Sequence, residues 1–246
     1  MYHRIQRCSV ALMGILCFSP VTLQAQLPGA EGALFEGRAD SGLIAGVRWE
    51  DWNRKVAAGN RSETLDMSRF VATLQVPVHP GASVWLEGGW HDPEQSNVGG
   101  KGGLTWGAGV SSRLYRVARR VDPEIGPREW TAVKFEAGAR GGEAPANVPG
   151  DLEWFQWEGR LGLEWHQRYL GANRGPIGTT GQTLEAGVLW TDLQADRPGV
   201  SASGRQSTGV YLRAHFALGT HQFFGLEADW MSSSDRRYAL VGGWRF

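Results

Sequence analysis

Hydrophobic and polar residues alternate along most of the chain with a period of two. The clearest run extends from Phe155 to His166, where one parity carries only Phe, Trp, Leu and Gly and the other carries mostly Gln, Glu, Arg and His. On a helix these charges would be spread around the whole circumference, whereas a β-strand gathers them on one face. The alternation therefore predicts β-strands.

The same alternation predicts ten antiparallel strands and no helix. Their approximate spans are Gly42–Trp52, Met67–Val78, Ala82–His91, Gly103–Leu114, Trp130–Arg140, Glu153–His166, Gln182–Thr191, Thr208–Leu218, Gln222–Met231 and Arg237–Phe246. An even strand number is typical of bacterial membrane barrels. Two linkers, at 115–129 and 169–181, are long enough to hide an error in the strand count, so eight strands remain the alternative.

The large aromatic residues indicate which face of the strands meets lipid. Eight of the twelve tryptophans lie on the apolar parity near strand ends, while smaller residues fill the strand centres. Phe155 and Trp165 are ten residues apart, about 25 Å of height for a tilted strand, which is the spacing of two aromatic girdles. We therefore expect an all-β, antiparallel, up-and-down transmembrane β-barrel. The expected girdle residues are Trp49, Trp90, Trp106, Phe155, Trp157, Trp165, Trp190 and Trp230.

The opposite parity is strongly charged and would line the lumen. Acids and bases on this face are expected to pair, because an unpaired charge in a narrow lumen has a large desolvation cost. The predicted network comprises Arg48, Glu50, Glu87, Arg113, Lys134, Glu136, Arg140, Glu158, Arg160, Glu164, Glu185, Arg213, Glu227 and Arg245. Glycines on the same face leave room for these long side chains. Since a barrel of eight to ten strands is only wide enough to be filled by side chains, the lumen is expected to be largely plugged.

The N-terminus has the pattern of a secretory signal peptide. Arg4 and Arg7 form a basic start, a short apolar stretch follows, and Leu23-Gln24-Ala25 offers a cleavage site. The expected organisation is a signal peptide at 1–25, a short periplasmic segment at 26–41 and the barrel at 42–246.

Composition excludes several classes of protein. The 25 basic and 25 acidic residues balance, so neither a nucleic-acid-binding surface nor an acidic tail is expected. Both cysteines, Cys8 and Cys17, fall in the segment expected to be removed, so no disulfide or thiolate metal site is expected in the mature chain. After Ala25 no apolar run is long enough for a membrane-spanning helix.

The last strand carries the most specific signal in the chain. It runs from Tyr238 to Phe246 and ends on an aromatic residue. This strand resembles the terminal strand of bacterial outer-membrane β-barrels, and the architecture resembles the small OmpA/OmpX type. The resemblance implies the outer membrane of a Gram-negative-type bacterium, contact with the lipid bilayer and periplasmic chaperones, and recognition by the assembly machinery. The residues implied in that recognition are Tyr238, Leu240, Trp244 and Phe246.

Candidate catalytic chemistry is sparse. The grouping of His91, Asp92, Asp51, Asp192 and Asp229 near the outer rim is the only one that could hold a His–carboxylate pair. No Gly-x-Ser-x-Gly motif supplies an activated serine, and no metal-ligand spacing is visible. We expect no enzymatic activity, cofactor or metal, and a structural or surface-interaction role through the outer loops. The alternatives are a narrow channel for small solutes and a rim hydrolase or lipid A-modifying enzyme.

Overall fold

The computed structural model describes residues 43–58, 61–79, 81–94, 102–122, 126–145, 151–169, 175, 178–197, 200–203, 206–231 and 235–246. The predicted signal peptide and the predicted segment at 26–41 lie outside the described residues. The strands are β1 Ile44–Ala58, β2 Arg61–His79, β3 Ala82–Glu94, β4 Gly103–Asp122, β5 Gly126–Pro145, β6 Asp151–Arg168, β7 Gly181–Arg197, β8 Val200–Ser203, β9 Ser207–Leu218, β10 Gln222–Trp230 and β11 Arg236–Arg245.

Ten of these strands close into one antiparallel ring, with the short strand β8 as an addition. Each long strand pairs with the next long strand along the chain, and β11 returns to pair with β1. The backbone N–H of Phe246 donates to the carbonyl of Leu43 at 2.8 Å, so the first and last residues of the barrel meet at one end. We call this the terminal end and the opposite one the loop end. The predicted all-β, ten-stranded antiparallel barrel is confirmed.

The short strand β8 narrows the ring at the loop end. Beyond Thr191, β7 pairs with β8 instead of β9. The other side of β8 pairs with the tip of β1, where Ala57 and Ala58 lie opposite Ser203 and Ala202. The closed path at the loop end therefore runs through β1 to β8, bypassing the shorter strands β9, β10 and β11. Since the diameter of a barrel grows with its strand number, the loop end is the narrower one. We call β8 the strap.

The prediction of a long linker at 115–129 is wrong, because β4 and β5 continue through this range as a paired hairpin at the terminal end. The register shifts between Arg113 and Tyr115, and again on either side of Arg120. Each β-bulge moves the side chains that follow to the other face, which hides the strand from a reading that assumes strict alternation.

Strands also extend further than predicted at the loop end. The linker expected between β1 and β2 is largely strand, since pairing continues from Asn53 opposite Asp66 to Ala58 opposite Arg61. In contrast, the linker between β6 and β7 contains no strand among its described residues before Gly181.

The apolar parity of the strands faces outward and the charged parity is enclosed. Outward-facing Leu104 and Leu163 are 70% and 61% exposed, whereas inward-facing Glu50 and Arg160 are each 1% exposed. A soluble β protein has the reverse arrangement, with its charges in water and its apolar residues inside. An apolar exterior around a polar interior is the arrangement of a barrel surrounded by lipid. The described part of the chain contains no helix long and apolar enough to cross a bilayer.

Candidate functional site

The lumen is layered along the barrel axis. Nearest the loop end is an apolar plug formed by Trp52, Met67, Trp154, Leu193 and Ala195. Below the plug is a layer of ion pairs, which we call the ion-pair layer. Nearest the terminal end is a cavity of about 260 Å³, which we call the vestibule.

Arginine side chains bridge the carboxylates of the ion-pair layer. Arg69 donates to Glu50 at 2.8 Å and to Glu87 at 2.7 Å. Arg140 donates to the same Oε1 atom of Glu87 at 2.7 Å and also pairs with Glu158. Two arginines thus connect four strands across the lumen, namely β1, β2, β3 and β5. The pair with Glu158 connects a fifth strand, β6.

Arg160 and Arg213 extend these bridges to the other side of the ring. Arg160 donates to Glu136 and Glu158, each at 2.7 Å, and to Asp229 at 3.1 Å. Arg213 donates to the second oxygen of Glu136 at 2.8 Å. These groups are nearly inaccessible to water, so each charge depends on its partners for stabilisation.

Sixteen ionic side chains of the lumen form one connected network with balanced charge, while the buried Arg54 donates to Thr191 and has no ion pair to that network. Its bases are Arg48, Arg69, Arg113, Lys134, Arg140, Arg160, Arg213 and Arg237, and its acids are Glu50, Glu87, Glu136, Glu158, Glu164, Glu185, Glu227 and Asp229. Eight bases therefore meet eight acids. Of the network predicted from the sequence, Arg245 lies differently: it is exposed at the terminal end, where its backbone N–H donates to the carbonyl of His221.

Glycines in the wall make room for large inward-facing side chains. The indole of Trp85 on β3 lies across Gly109 on β4 and Gly138 on β5. A Cβ atom at either position would overlap that ring. A Cβ at Gly162 would likewise overlap the hydroxyl of Tyr211, which donates to Glu185 at 2.7 Å. The glycines therefore determine which large residues fit inside the ring.

The plug packs aromatic and aliphatic side chains together at the narrow end of the lumen. Trp52 and Trp154 meet edge to face with ring centroids 5.6 Å apart, and the guanidinium of Arg69 lies 5.3 Å from the Trp154 ring below them. Leu193 is 1% exposed although it lies beyond Thr191, where the strand was predicted to end. Period-two alternation did not single out this plug; the available signal was that Trp52 and Trp154 fall on the charged parity, and so point inward.

The vestibule is open and is lined by both polar and apolar residues. Ser83 and Ser111 share a hydrogen bond of 2.9 Å, and Gln75 donates to Ser83 at 2.6 Å. On the facing wall, His215 Nε2 lies 3.1 Å from Glu227 Oε1. Unlike the two layers above it, this part of the lumen has space for a bound molecule.

The predicted girdle residues and the last strand lie on the outer face. Trp49, Trp90, Trp106, Trp190 and Trp230 are exposed, and the remaining three are half-buried, namely Phe155, Trp157 and Trp165. The side chains of the last strand that the resemblance implicates in assembly are also exposed: Tyr238, Leu240, Trp244 and Phe246.

The structure does not bring the candidate rim residues together. His91 is completely buried inside the barrel with its ring 5.8 Å from Trp154, whereas Asp51 and Asp92 are exposed on the outer face. Asp229 is held in the ion-pair layer by Arg160 and Arg237. Among the described residues, no group of three or more His, Cys, Asp or Glu side chains is arranged to hold a metal ion.

A closed antiparallel barrel with an apolar exterior and a charged lumen belongs to the class of bacterial outer-membrane β-barrels. No protein-family model matches the chain, and no curated protein matches it. Similar solved structures include an outer membrane channel from Pseudomonas putida, with 12% identity over 88% of this chain and 99% of that chain and a TM-score of 0.41. Ail, the attachment invasion locus protein of Yersinia pestis, has 7% identity over 84% of this chain and 99% of that chain, with a TM-score of 0.29. OmpF of Salmonella typhi has 8% identity over 84% of this chain and 98% of that chain, with a TM-score of 0.17.

Proposed function

We propose that this chain is an outer-membrane barrel with a closed lumen, whose role is structural or a surface interaction through the segments at its loop end. The observation that supports this proposal is the presence of two successive layers of buried side chains in the lumen, the ion-pair layer and the plug. A permanent pore would need a continuous water-filled path, and at the loop end Trp52, Trp154 and Leu193 occupy that path. The enclosed charges are paired with one another and so are not available as a water-lined track for ions.

The loop end faces the exterior of the cell in this proposal, and the terminal end faces the periplasm. Bacterial barrels have their longer loops outside, and the strap and the extension of β1 and β2 lie at the loop end. We further propose that the signal peptide is cleaved near Ala25, that the aromatic outer face contacts lipid, and that periplasmic chaperones and the assembly machinery receive the chain through its last strand.

A narrow channel is the second candidate, because the vestibule already provides an open half-lumen. Conduction would require both closing layers to rearrange. Catalysis is not supported, since His91 is enclosed in the barrel while Asp51 and Asp92 are exposed on the outer face, and the enclosed Asp229 is held by Arg160 and Arg237.

Conductance in planar bilayers tests the closed lumen. Folded protein, identified by its heat-dependent shift on a gel, is expected to insert without producing stable conductance steps. Reproducible single-channel steps from the unaltered protein would overturn the closed lumen and favour the channel.

Cysteine labelling tests the orientation, since the mature chain is expected to contain no cysteine. Gln206→Cys places an exposed thiol at the loop end, and Arg119→Cys places one at the terminal end. A bulky membrane-impermeant maleimide should label position 206 on intact cells and position 119 only after the outer membrane is permeabilised. The reverse pattern would contradict the orientation.

A further inference from the structure

The vestibule has an excess of positive charge. Its lining contains six bases and four acids, a formal charge of +2 with histidines neutral. The bases are Arg48, Arg113, Lys134, Arg140, Arg213 and Arg245, and the acids are Glu87, Glu136, Glu164 and Glu227. The compensating acids, including Glu50, Glu158 and Asp229, lie deeper, in the ion-pair layer. A solute entering from the terminal end therefore meets a net positive field.

Near the open end of the vestibule the bases are also more accessible than the acids with which they pair, whereas deeper in the lining Glu136 is 10% exposed and its partner Arg213 is 4% exposed. The side chains of Arg113 and Lys134 are 26% and 16% exposed, while Glu164 beneath them is 3% exposed. On the other wall, His215 is 31% exposed and Glu227 is 7% exposed. Glu164 and Glu227 also belong to the lining of the cavity, and each holds bases that are more accessible than itself.

These bases form two clusters on opposite walls. Arg113 and Lys134 lie side by side on β4 and β5 and share Glu164 at 2.7 and 3.7 Å, and Lys134 also pairs with Glu185 at 2.8 Å. Arg48 and His215 on β1 and β9 share the Oε1 atom of Glu227 at 3.2 and 3.1 Å. In the ring order, β4 and β5 lie opposite the segment between β9 and β1.

Two further donors of the vestibule lining have no acceptor among the described residues. They are Trp85 Nε1 and Arg48 Nε, both of which are buried. A buried donor without an acceptor is costly, and an anion would supply one.

We propose that the vestibule binds a small oxyanion of the phosphate class, either phosphate or a phosphate monoester, between the Arg113–Lys134 cluster and the Arg48–His215 cluster. A tetrahedral oxyanion accepts hydrogen bonds from several directions, which suits donors on facing walls. The cavity lies below the usual size range of sites for drug-sized ligands, so the anion must be small. This inference goes beyond the proposed function and does not depend on whether the barrel conducts.

Calorimetric titration of the folded barrel in a nonionic detergent tests the site. Inorganic phosphate is titrated against the protein at constant ionic strength, with chloride as the reference anion. The expected result is saturable binding of one phosphate per barrel, weakened about tenfold or more by Arg113→Gln, which removes a charged hydrogen-bond donor. Arg119→Gln is the matched control, because Arg119 is an exposed base on the same strand outside the vestibule.

A second variant and a second ligand complete the test. If Arg113→Gln does not fold, Arg245→Gln removes a base at the exposed rim, and it should weaken binding while the barrel stays folded. Glycerol 3-phosphate, a fragment of lipid headgroups, is compared with inorganic phosphate: tighter binding of the fragment indicates a headgroup-like monoester, and tighter binding of phosphate a free anion. Heats equal to those of chloride, or equal weakening by Arg119→Gln, would overturn the site. A barrel that conducts yet binds phosphate would overturn only the closed lumen.

Discussion

Neighbouring residues on one strand of this barrel meet opposite environments. On β4, Ser111 is buried in the lumen wall with its hydroxyl 2.9 Å from that of Ser83, while Val110 lies on the apolar outer face opposite Val84. The boundary between the apolar exterior and the lumen is therefore a single backbone thick.

This boundary predicts a sharp difference between two cysteine variants. An environment-sensitive probe attached to Val110→Cys in bilayers should be quenched by a lipid-borne quencher, and the same probe on Ser111→Cys should not. The two sites differ by one residue, so each is the control for the other. Equal quenching at both positions would contradict the assignment of the faces.

Packing inside the ring depends equally on single residues. Gly138→Ala should destabilise the barrel by about 1–3 kcal/mol, because the added Cβ overlaps the indole of Trp85 and forces the core to shift. Gly88→Ala on the outer face is the control, since a Cβ there meets nothing within 4 Å. The measurement is the urea concentration at which the heat-dependent gel shift is lost.

The role of Trp85 in that loss can be separated by a double variant. In a Trp85→Ala background, the Gly138→Ala change should cost less, because the overlapping ring is gone. If Gly138→Ala costs as much stability in this background as in the unaltered protein, the loss comes instead from overlap with the backbone of β4.

Among the strands, β11 both closes the ring and ends the chain. Its partner β1 is formed about two hundred residues earlier, and the last backbone hydrogen bond joins Phe246 to Leu43. Deleting Phe246 should lower the yield of folded barrel while leaving secretion intact, measured by cell fractionation and the gel shift. Phe246→Tyr keeps the backbone and an aromatic ring and should retain the yield. If the deletion variant gives an unchanged yield of folded barrel under strong expression, Phe246 does not have this role.

Strand positions were predictable from the sequence because one face of each central segment is apolar and the other is charged. The composition therefore alternates from one residue to the next. The ends were not. Between Arg113 and Tyr115 a β-bulge reverses the parity, so the β4–β5 hairpin had no continuous pattern to read. The strap has none either: Val200–Ser203 is four residues long and pairs with strand tips distant in the chain.

At the scale of the whole molecule, the interior is ionic and the exterior apolar, so the usual source of core stability is replaced by connected charges. Arg160→Ala should destabilise the barrel by about 3–5 kcal/mol, because it leaves Glu136 and Glu158 with fewer buried partners. Arg119→Ala, which removes an exposed base, should change stability by less than about 1 kcal/mol. Urea titrations of both variants against the unaltered protein measure the difference, and equal losses would argue against a connected network.

Charge pairing in the lumen could be anticipated from parity, since acids and bases on the inward face had no water to solvate them. Which base meets which acid could not. The pairs of Arg160 with Asp229 and of Arg48 with Glu227 join residues far apart in sequence, and they depend on the curvature of the ring. The vestibule likewise follows from the widening of the ring, for which the sequence carries no local signal.

The short pairing of the strap with β1 implies that the ring opens transiently at the loop end. Among the described residues, two pairs join β8 to β1, namely Ala57 with Ser203 and Ala58 with Ala202. At about 1 kcal/mol of net stabilisation per backbone hydrogen bond, this seam is worth about 2–3 kcal/mol, so the parted form would be populated on the order of 1%. The ring would then exchange between a narrow and a wide circumference while the remaining ladders stay intact. Of the amides of Ala57 and Ala58, the one that donates to β8 should accordingly exchange with deuterium faster than those from Val47 to Trp52, which lie between the long ladders to β2 and β11.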